Sequence, residues 1–408
     1  MTNANMGDYR PSADPDQRTI GATEFPPYDV LLKGGRVLDP ASGLDAVRDV
    51  ALAHGRLAAI ENNIDPAKAI QTLDVAGKLV TPGLVDYHVH VYPGVSSLSV
   101  PADEFCLSTG VTTAVSTGDA GSSTFEGLVN NVIRTARTRI YGYVHISRIG
   151  LAGYPVGEMR DIAYADVRGA AHIAREYRDV CLGVKVRMTS FIVGNNGLEP
   201  LKKAIQAAEQ ADTRVMVHIY DIPGTLPELL ALLRPGDVIT HMYMGTENGI
   251  LDDNGKVTPA VLEARERGIL WDVGHGSKAG YSLPVVTAAL EQGFLPDTIS
   301  SDIHTQSANG TMINLPNVLS KFWNMGLSLM EVIERATSCP GRIIDREPGL
   351  GTLTVGGPGD VAVFDILEGE YPVLDDLGHR LPGNKHLQTV HTIRAGRVYG
   401  APYRYPHI

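Results

Sequence analysis

Six side chains in this sequence have the chemistry to hold metal ions. His88 and His90 stand in VDYHVHVY beside Asp86, and because residues i and i+2 of a strand share a face, the two imidazoles can address one point. Lys185 in LGVKVRM, His218 in RVMVHIY, His241 in DVITHMY and Asp302 in TISSDIH stand in runs of the same β-rich kind. Taken singly, each has an ordinary alternative: a histidine used in polar packing, a snorkelling lysine, a helix-capping aspartate. Grouped at one end of a fold they would be a poor arrangement, at a cost on the order of several kcal/mol, unless something compensated them. Divalent cations would supply that compensation.

Lys185 is the odd member, since an ammonium has no lone pair to offer. Burial favours the neutral amine, and a neutral amine can add CO2 to become a carbamate whose two oxygens bridge two metal ions. The other reading makes Lys185 an ion-pair partner of Asp302 or Asp86.

The elements that must position these groups can be read from the text between Leu84 and about Ser338. Eight short apolar runs alternate there with segments of helical period. In ADVRGAAHIAREYRD the apolar positions Val167, Ala170, Ala171, Ile173, Ala174 and Tyr177 recur at three and four residues, and LEPLKKAIQAAEQ is similar. Eight βα units over about 250 residues match a closed barrel, and the Gly-rich fingerprint of a doubly wound sheet is missing after the first strand. The candidate ligands then fall at the C-terminal strand ends, where barrel active sites lie. On either side, YDVLLKGGRVLDP, VRDVALAHGRLAAIE, GLGTLTVGGPGDVAVFDI and LQTVHTIRAGRVYG read as short strands and turns. The expected fold is α/β: a (β/α)8 TIM barrel, 84–342, with a small β-sandwich domain built from both chain ends, 28–83 and 343–408. Residues 1–27 form an N-terminal arm, either a loose tail or a segment packed on a neighbouring subunit; it has neither the basic stretch nor the apolar run of a signal peptide.

Composition narrows the function further. The 408 residues are 43% hydrophobic and 20% charged, with no apolar run long enough for a membrane span, so a soluble globular protein is expected. Lys plus Arg number 35 against 46 Asp plus Glu, a formal charge of −11, the wrong sign for gripping nucleic acid. Three scattered cysteines, Cys106, Cys181 and Cys339, fit no disulfide framework and suit a reducing, cytoplasmic setting. The 44 glycines and 25 prolines imply many short turns.

KGGRVLDP, DVALAHGRLAAI, LVTPGLVDYHVH, Lys185 in GVKVRM, His218, His241, SSDIH around Asp302, ATSCPGRIID and GTLTVGGPGDVAVFD together carry a resemblance. From Tyr28 onward the chain resembles the amidohydrolase superfamily of binuclear metal hydrolases. STGDAGSS, WDVGHGS around His275 and SSDIHT around His304 are most similar to its deacetylase or dihydroorotase-like branch. The resemblance implies that His88, His90 and Asp302 hold the more buried metal ion and His218 and His241 the more exposed one. Carbamylated Lys185 and a hydroxide would span the two. Zn is the default ion, and Mn, Co or Fe would also suit these ligands. The paired cations would acidify the shared water, and Asp302 would act as general base and then general acid.

Candidates for substrate contact are His275, His304, Asp119, Tyr154, Arg148 and Arg187, the last through a substrate carboxylate or through pairing inside the protein. The expected reaction on a small-molecule substrate is hydrolysis of an amide, cyclic amide, N-acyl or ester bond. Alternatives are an esterase or deacetylase of acetylated α-hydroxy acids, a catalytically silent scaffold, which should lack ligands, and a one-metal deaminase, which would not need Lys185. Self-association into a homo-oligomer is also implied by the resemblance.

Overall fold

The computed structural model describes residues 26–399, so the expected arm, save its last two residues, lies outside the described part. Seven parallel strands, Leu84–Val89, Val111–Gly121, Arg139–His145, Cys181–Met188, Arg214–Ile219, Val238–Thr240 and Leu270–Asp272, pair each with the next in chain order. The first and fourth are buried at every position, which is why they read as continuous apolar text rather than alternation. The eighth run closes the ring without forming a regular strand. Thr298 bridges Asp272 and Ile303 bridges Val89, both in parallel. Between them Asp302 takes a left-handed φ of 50°, which interrupts the strand ladder.

Helices cover the ring from outside. Val167–Glu176 starts at Asp166, whose side chain accepts the Gly169 N–H, and buries Ala170, Ala171, Ile173 and Ala174. Leu226–Leu232 starts at a reciprocal Thr225–Glu228 cap. None of the helices among the described residues is long and apolar enough to cross a membrane.

Both chain ends feed one continuous eight-stranded sheet. Leu79–Pro82 stitches them together, parallel to Tyr28–Asp39 on one side and antiparallel to Val361–Glu368 on the other. Tyr28–Asp39 changes register between Leu32 and Gly35, where a Cβ on Gly35 would sit 2.5 Å from Val80 Cγ2. That close approach accounts for Gly35 of KGGRVLDP, and a left-handed φ of 77° for Gly34. Apolar side chains pack on both faces, around Val37, Val50 and Val361 and around Leu31 and Ala51.

We propose the two-part division of the chain with one boundary moved. The helix Ser338–Ile344 runs through the expected 342/343 junction, and Ile343, Ile344 and Leu350 pack with Val85, Tyr87 and Tyr143 in the barrel floor. The passage to the small domain therefore belongs after Leu350.

Candidate metal centre

His88 is the last residue but one of the first barrel strand and His90 follows its end, with the eighth run alongside: the Asp302 N–H donates to His88 O at 2.8 Å and the His90 N–H to Ile303 O at 3.0 Å. This pairing brings the Asp302 carboxylate to both imidazoles. Asp302 Oδ1 is 3.3 Å from His88 Nε2 and 3.1 Å from His90 Nε2, and one ligand atom from each residue fits within 4.8 Å of the others. The His241 ring centroid lies 5.1 Å from that of His88 and 4.2 Å from that of His218. Lys185 is buried, near enough for its charge to act on His88, His218 and His241, and packs against Gly118, where a Cβ would lie 2.7 Å from Lys185 Cγ.

Partners behind the rings orient three of these histidines. His88 Nδ1 meets Thr240 Oγ1 at 2.7 Å, and that hydroxyl donates to Asp272. His90 Nδ1 meets Asp119 Oδ1 at 2.9 Å, and His241 Nδ1 donates to Gly274 O at 2.6 Å. In each neutral ring the Nδ1 proton is committed outward, so the Nε2 lone pair faces inward. Asp302 Oδ1, His241 Nε2 and Lys185 Nζ are buried there without any hydrogen-bond partner. Lone pairs facing lone pairs around one point call for a cation or a proton between them, so this donor set fits a divalent metal ion. His241 and Asp302 also hold left-handed φ values of 63° and 50°, a conformation that costs roughly 1–2 kcal/mol per residue and concentrates at functional sites.

The electrostatics agree. Burial drives His88 and His218 well below the ordinary imidazole range and His241 down to about 4, against the pull of Asp302. Burial acts the same way on His90, but Asp119 and Asp302 outweigh it and raise that ring to about 9; here a proton stands where a cation fits. Burial lowers the Lys185 amine to about 7, with Asp302 and Asp272 opposing, so neutral amine is present near neutral pH.

The Amidohydrolase family model matches residues 79–398. The chain belongs to the amidohydrolase family. A deacetylase of Enterococcus faecalis is 30% identical over 376 residues, covering 91% of this chain and 99% of that protein. A deacetylase of Agrobacterium fabrum is 33% identical over 328 residues, 79% of each chain. Among solved structures, a dihydroorotase superposes with a TM-score of 0.85 at 29% identity over 93% of this chain and 99% of that one. An adenine deaminase superposes with a TM-score of 0.83 at 29% identity, over 91% and 99%. This amidohydrolase is thus a metal-dependent hydrolase on a TIM-like barrel.

The cleft over its centre has a volume of about 260 Å³ and is walled by Leu98, Tyr154, Arg187, Phe191, Tyr220 and Lys278, among others. His304 also reaches it. His304 Nδ1 accepts the N–H groups of Gln306 and Ser307, so its Nε2–H is the inward donor, 3.9 Å from Asp302 Oδ2. Arg187 reaches the cleft while chelated from behind by Glu158, at 2.7 and 3.1 Å.

Three sequence candidates lie elsewhere. Asp119 is fully buried behind His90, holding its Nδ1, the Val91 N–H and the hydroxyls of Ser99 and Ser116. It orients a candidate ligand rather than facing substrate. His275 stacks on Tyr281 at 4.0 Å and accepts from Lys321 Nζ at 2.8 Å, which holds it away from the cleft lining. Arg148 is a surface residue paired with Asp166. Glu158, His145, Thr240, Asp272 and Lys278 were not anticipated. Thr240 and Asp272 occupy strand ends beside predicted sites, a usable signal; Glu158 sits in an irregular loop without any.

Proposed function

We propose that this amidohydrolase cleaves a C–N bond of amide, cyclic amide or N-acyl type, or the corresponding ester, in a small acyl-bearing molecule that carries a carboxylate. The observation that supports the bond class is the convergence of His88, His90 and Asp302 on one point with His241, His218 and Lys185 gathered beside it, and Asp302 Oδ1, His241 Nε2 and Lys185 Nζ buried without partners. His88, His90 and Asp302 would hold one divalent ion, His218 and His241 the other, and Lys185, once its neutral amine has bonded to CO2 and lost a proton, would join the two. Zn is the leading candidate, with Mn, Co and Fe also compatible. When bound, the two cations acidify a water and polarise the scissile carbonyl.

The chain's own groups do the remainder. The imidazoles around Asp302 outweigh its burial and hold its pKa well below the usual range, so it is ionised and ready to take the proton of the attacking water. It then returns that proton to the departing nitrogen or oxygen. His304 Nε2–H points to the same space. Support for a substrate carboxylate comes from the wall: Arg187 and Lys278 line it, and Asp302 is the only carboxylate among the described residues that do. Leu98, Tyr154, Phe191 and Tyr220 exclude water from the acyl portion. Cytoplasmic residence and self-association belong to this proposal too; the free cysteines Cys106, Cys181 and Cys339 support a reducing compartment.

The test is a panel of N-acyl amino acids, cyclic imides and acetylated α-hydroxy acids, in both stereochemical forms and each beside its carboxamide. Turnover favouring the carboxylates is expected. Asp302→Asn should lower that turnover by roughly 10²–10⁴-fold with most of the metal retained. No hydrolysis by metal-replete protein, or near-wild-type turnover in Asp302→Asn, would overturn the reading.

A further inference from the structure

Between the strands Val361–Glu368 and Lys385–Arg394 the chain leaves the small sheet and forms an excursion with its own hairpin, Val373–Leu374 against Arg380–Leu381. Three consecutive residues of this excursion hold the loops around the cleft. The carbonyl of Leu374 accepts from Lys321 Nζ at 2.7 Å, and Lys321 in turn donates to His275. Asp375 Oδ2 accepts the Leu283 N–H at 2.9 Å. Asp376 makes the widest link: Oδ2 accepts the Lys278 N–H at 2.8 Å and Oδ1 the Thr311 N–H at 3.1 Å.

Those two N–H groups belong to different walls. Ser277, Lys278 and Gly280 line the cleft from the loop after the seventh strand, while His304 and Gln306 line it from the loop after the eighth run, which continues to Thr311. One carboxylate thus ties both loops together from outside the cleft, whose lining does not include it. The tie is needed on physical grounds, because Lys278 has a φ of 56°, a left-handed conformation that an ordinary residue keeps only when its surroundings impose it. The same loop packs on the centre: a Cβ on Gly276 would lie 2.5 Å from Asp302 Oδ2.

We propose that Asp376 is a positioning residue for substrate binding: bridging the Lys278 and Thr311 amides, it sets the wall that presents Lys278 to the substrate carboxylate. This rests on the reading of an anionic substrate given above.

The experiment compares Asp376→Ala, Asp376→Asn, Lys278→Ala and the double alanine variant. Its readouts are KM and kcat for a carboxylate substrate and for its carboxamide, and amide hydrogen exchange of metal-replete protein. Each alanine variant should raise KM for the carboxylate about tenfold, a change of about 1.4 kcal/mol, and raise it clearly less for the carboxamide, with kcat for the carboxylate within about twofold. The double variant should be no worse than about twice the poorer single, because both changes disable one device. Asp376→Asn, which keeps one acceptor, should fall between wild type and Asp376→Ala. Exchange should rise in segments 274–283 and 308–314 and stay unchanged in Cys181–Met188. Additive KM effects, equal losses on both substrates, or unaltered exchange would overturn the proposal. If Lys278→Ala leaves KM unchanged while Asp376→Ala still loosens both loops, the anionic-substrate reading falls and the anchor stands, so the two failures are distinguishable.

Discussion

Replacing Glu158 with Gln removes the carboxylate that chelates Arg187 at the cleft wall. Both groups are buried, Glu158 at 2% exposure and Arg187 at 8%, and Arg187 has no other carboxylate within ion-pair distance among the described residues. Burial by itself would raise the Glu158 pKa, but Arg187 and His145 outweigh it and bring the pKa from 4.5 down to about 2. At 1.36 kcal/mol per unit, that depression corresponds to about 3 kcal/mol of stability. Breaking one side of a buried pair costs about 3–5 kcal/mol by a separate route, and glutamine retains the shape and one acceptor, so about 3 kcal/mol is expected near neutral pH. The sign follows from linkage: a carboxylate with a depressed folded pKa stabilises above its unfolded pKa and loses that stabilisation as pH falls through the folded value. The gap between wild type and Glu158→Gln should therefore be full at pH 7 and shrink between pH 4.5 and about 2. Urea unfolding followed by the fluorescence of the buried Trp271, on samples of matched metal content, measures it. A variant as stable as wild type at pH 7, or a gap that stays constant through acid, would refute the electrostatic argument.

Other consequences follow from the groups behind the ligands. Asp119→Ala and Asp272→Ala, which remove the partners fixing His90 and the His88–Thr240 relay, should each weaken metal binding about 10–100-fold, measured by competition with a chelator; unchanged affinity would show that the ring orientation needs neither. Gly276→Ala places a Cβ 2.5 Å from Asp302 Oδ2 at a left-handed φ of 58°. Displacing that carboxylate should lower kcat on the order of 100-fold, whereas wild-type turnover would mean the loop yields freely.

Strand ends were the most readable part of this sequence. A parallel barrel strand is apolar almost throughout, so a histidine, lysine or aspartate within it stands out: His88, His218 and His241 fall at or just beside strand ends, and Lys185 lies three residues before the end of Cys181–Met188. The eighth run was legible as a β-type segment but not as an irregular one, since the left-handed φ of Asp302 is imposed by contacts with the first strand and leaves no trace in local composition. Direction was also hidden. WDVGHGS reads equally well with its histidine toward the cleft or away from it, and the stacking on Tyr281 and the hydrogen bond from Lys321 decide for away. Asp119 stands near the end of the second barrel strand, Val111–Gly121, where a cleft residue would be expected, yet four hydrogen-bond donors draw it inward. Glu158 and Asp376 act over separations of 29 and 98 residues, beyond the reach of any local pattern.

In the proposed function Lys185 carries CO2 and joins two metal ions. Elemental analysis of protein loaded with metal in the presence of ¹³C-labelled bicarbonate, combined with ¹³C NMR, tests it directly. About two ions per chain and a carbamate resonance are expected, with the resonance lost and metal content reduced in Lys185→Ala. One ion per chain, indifferent to bicarbonate and with no carbamate resonance, would contradict it.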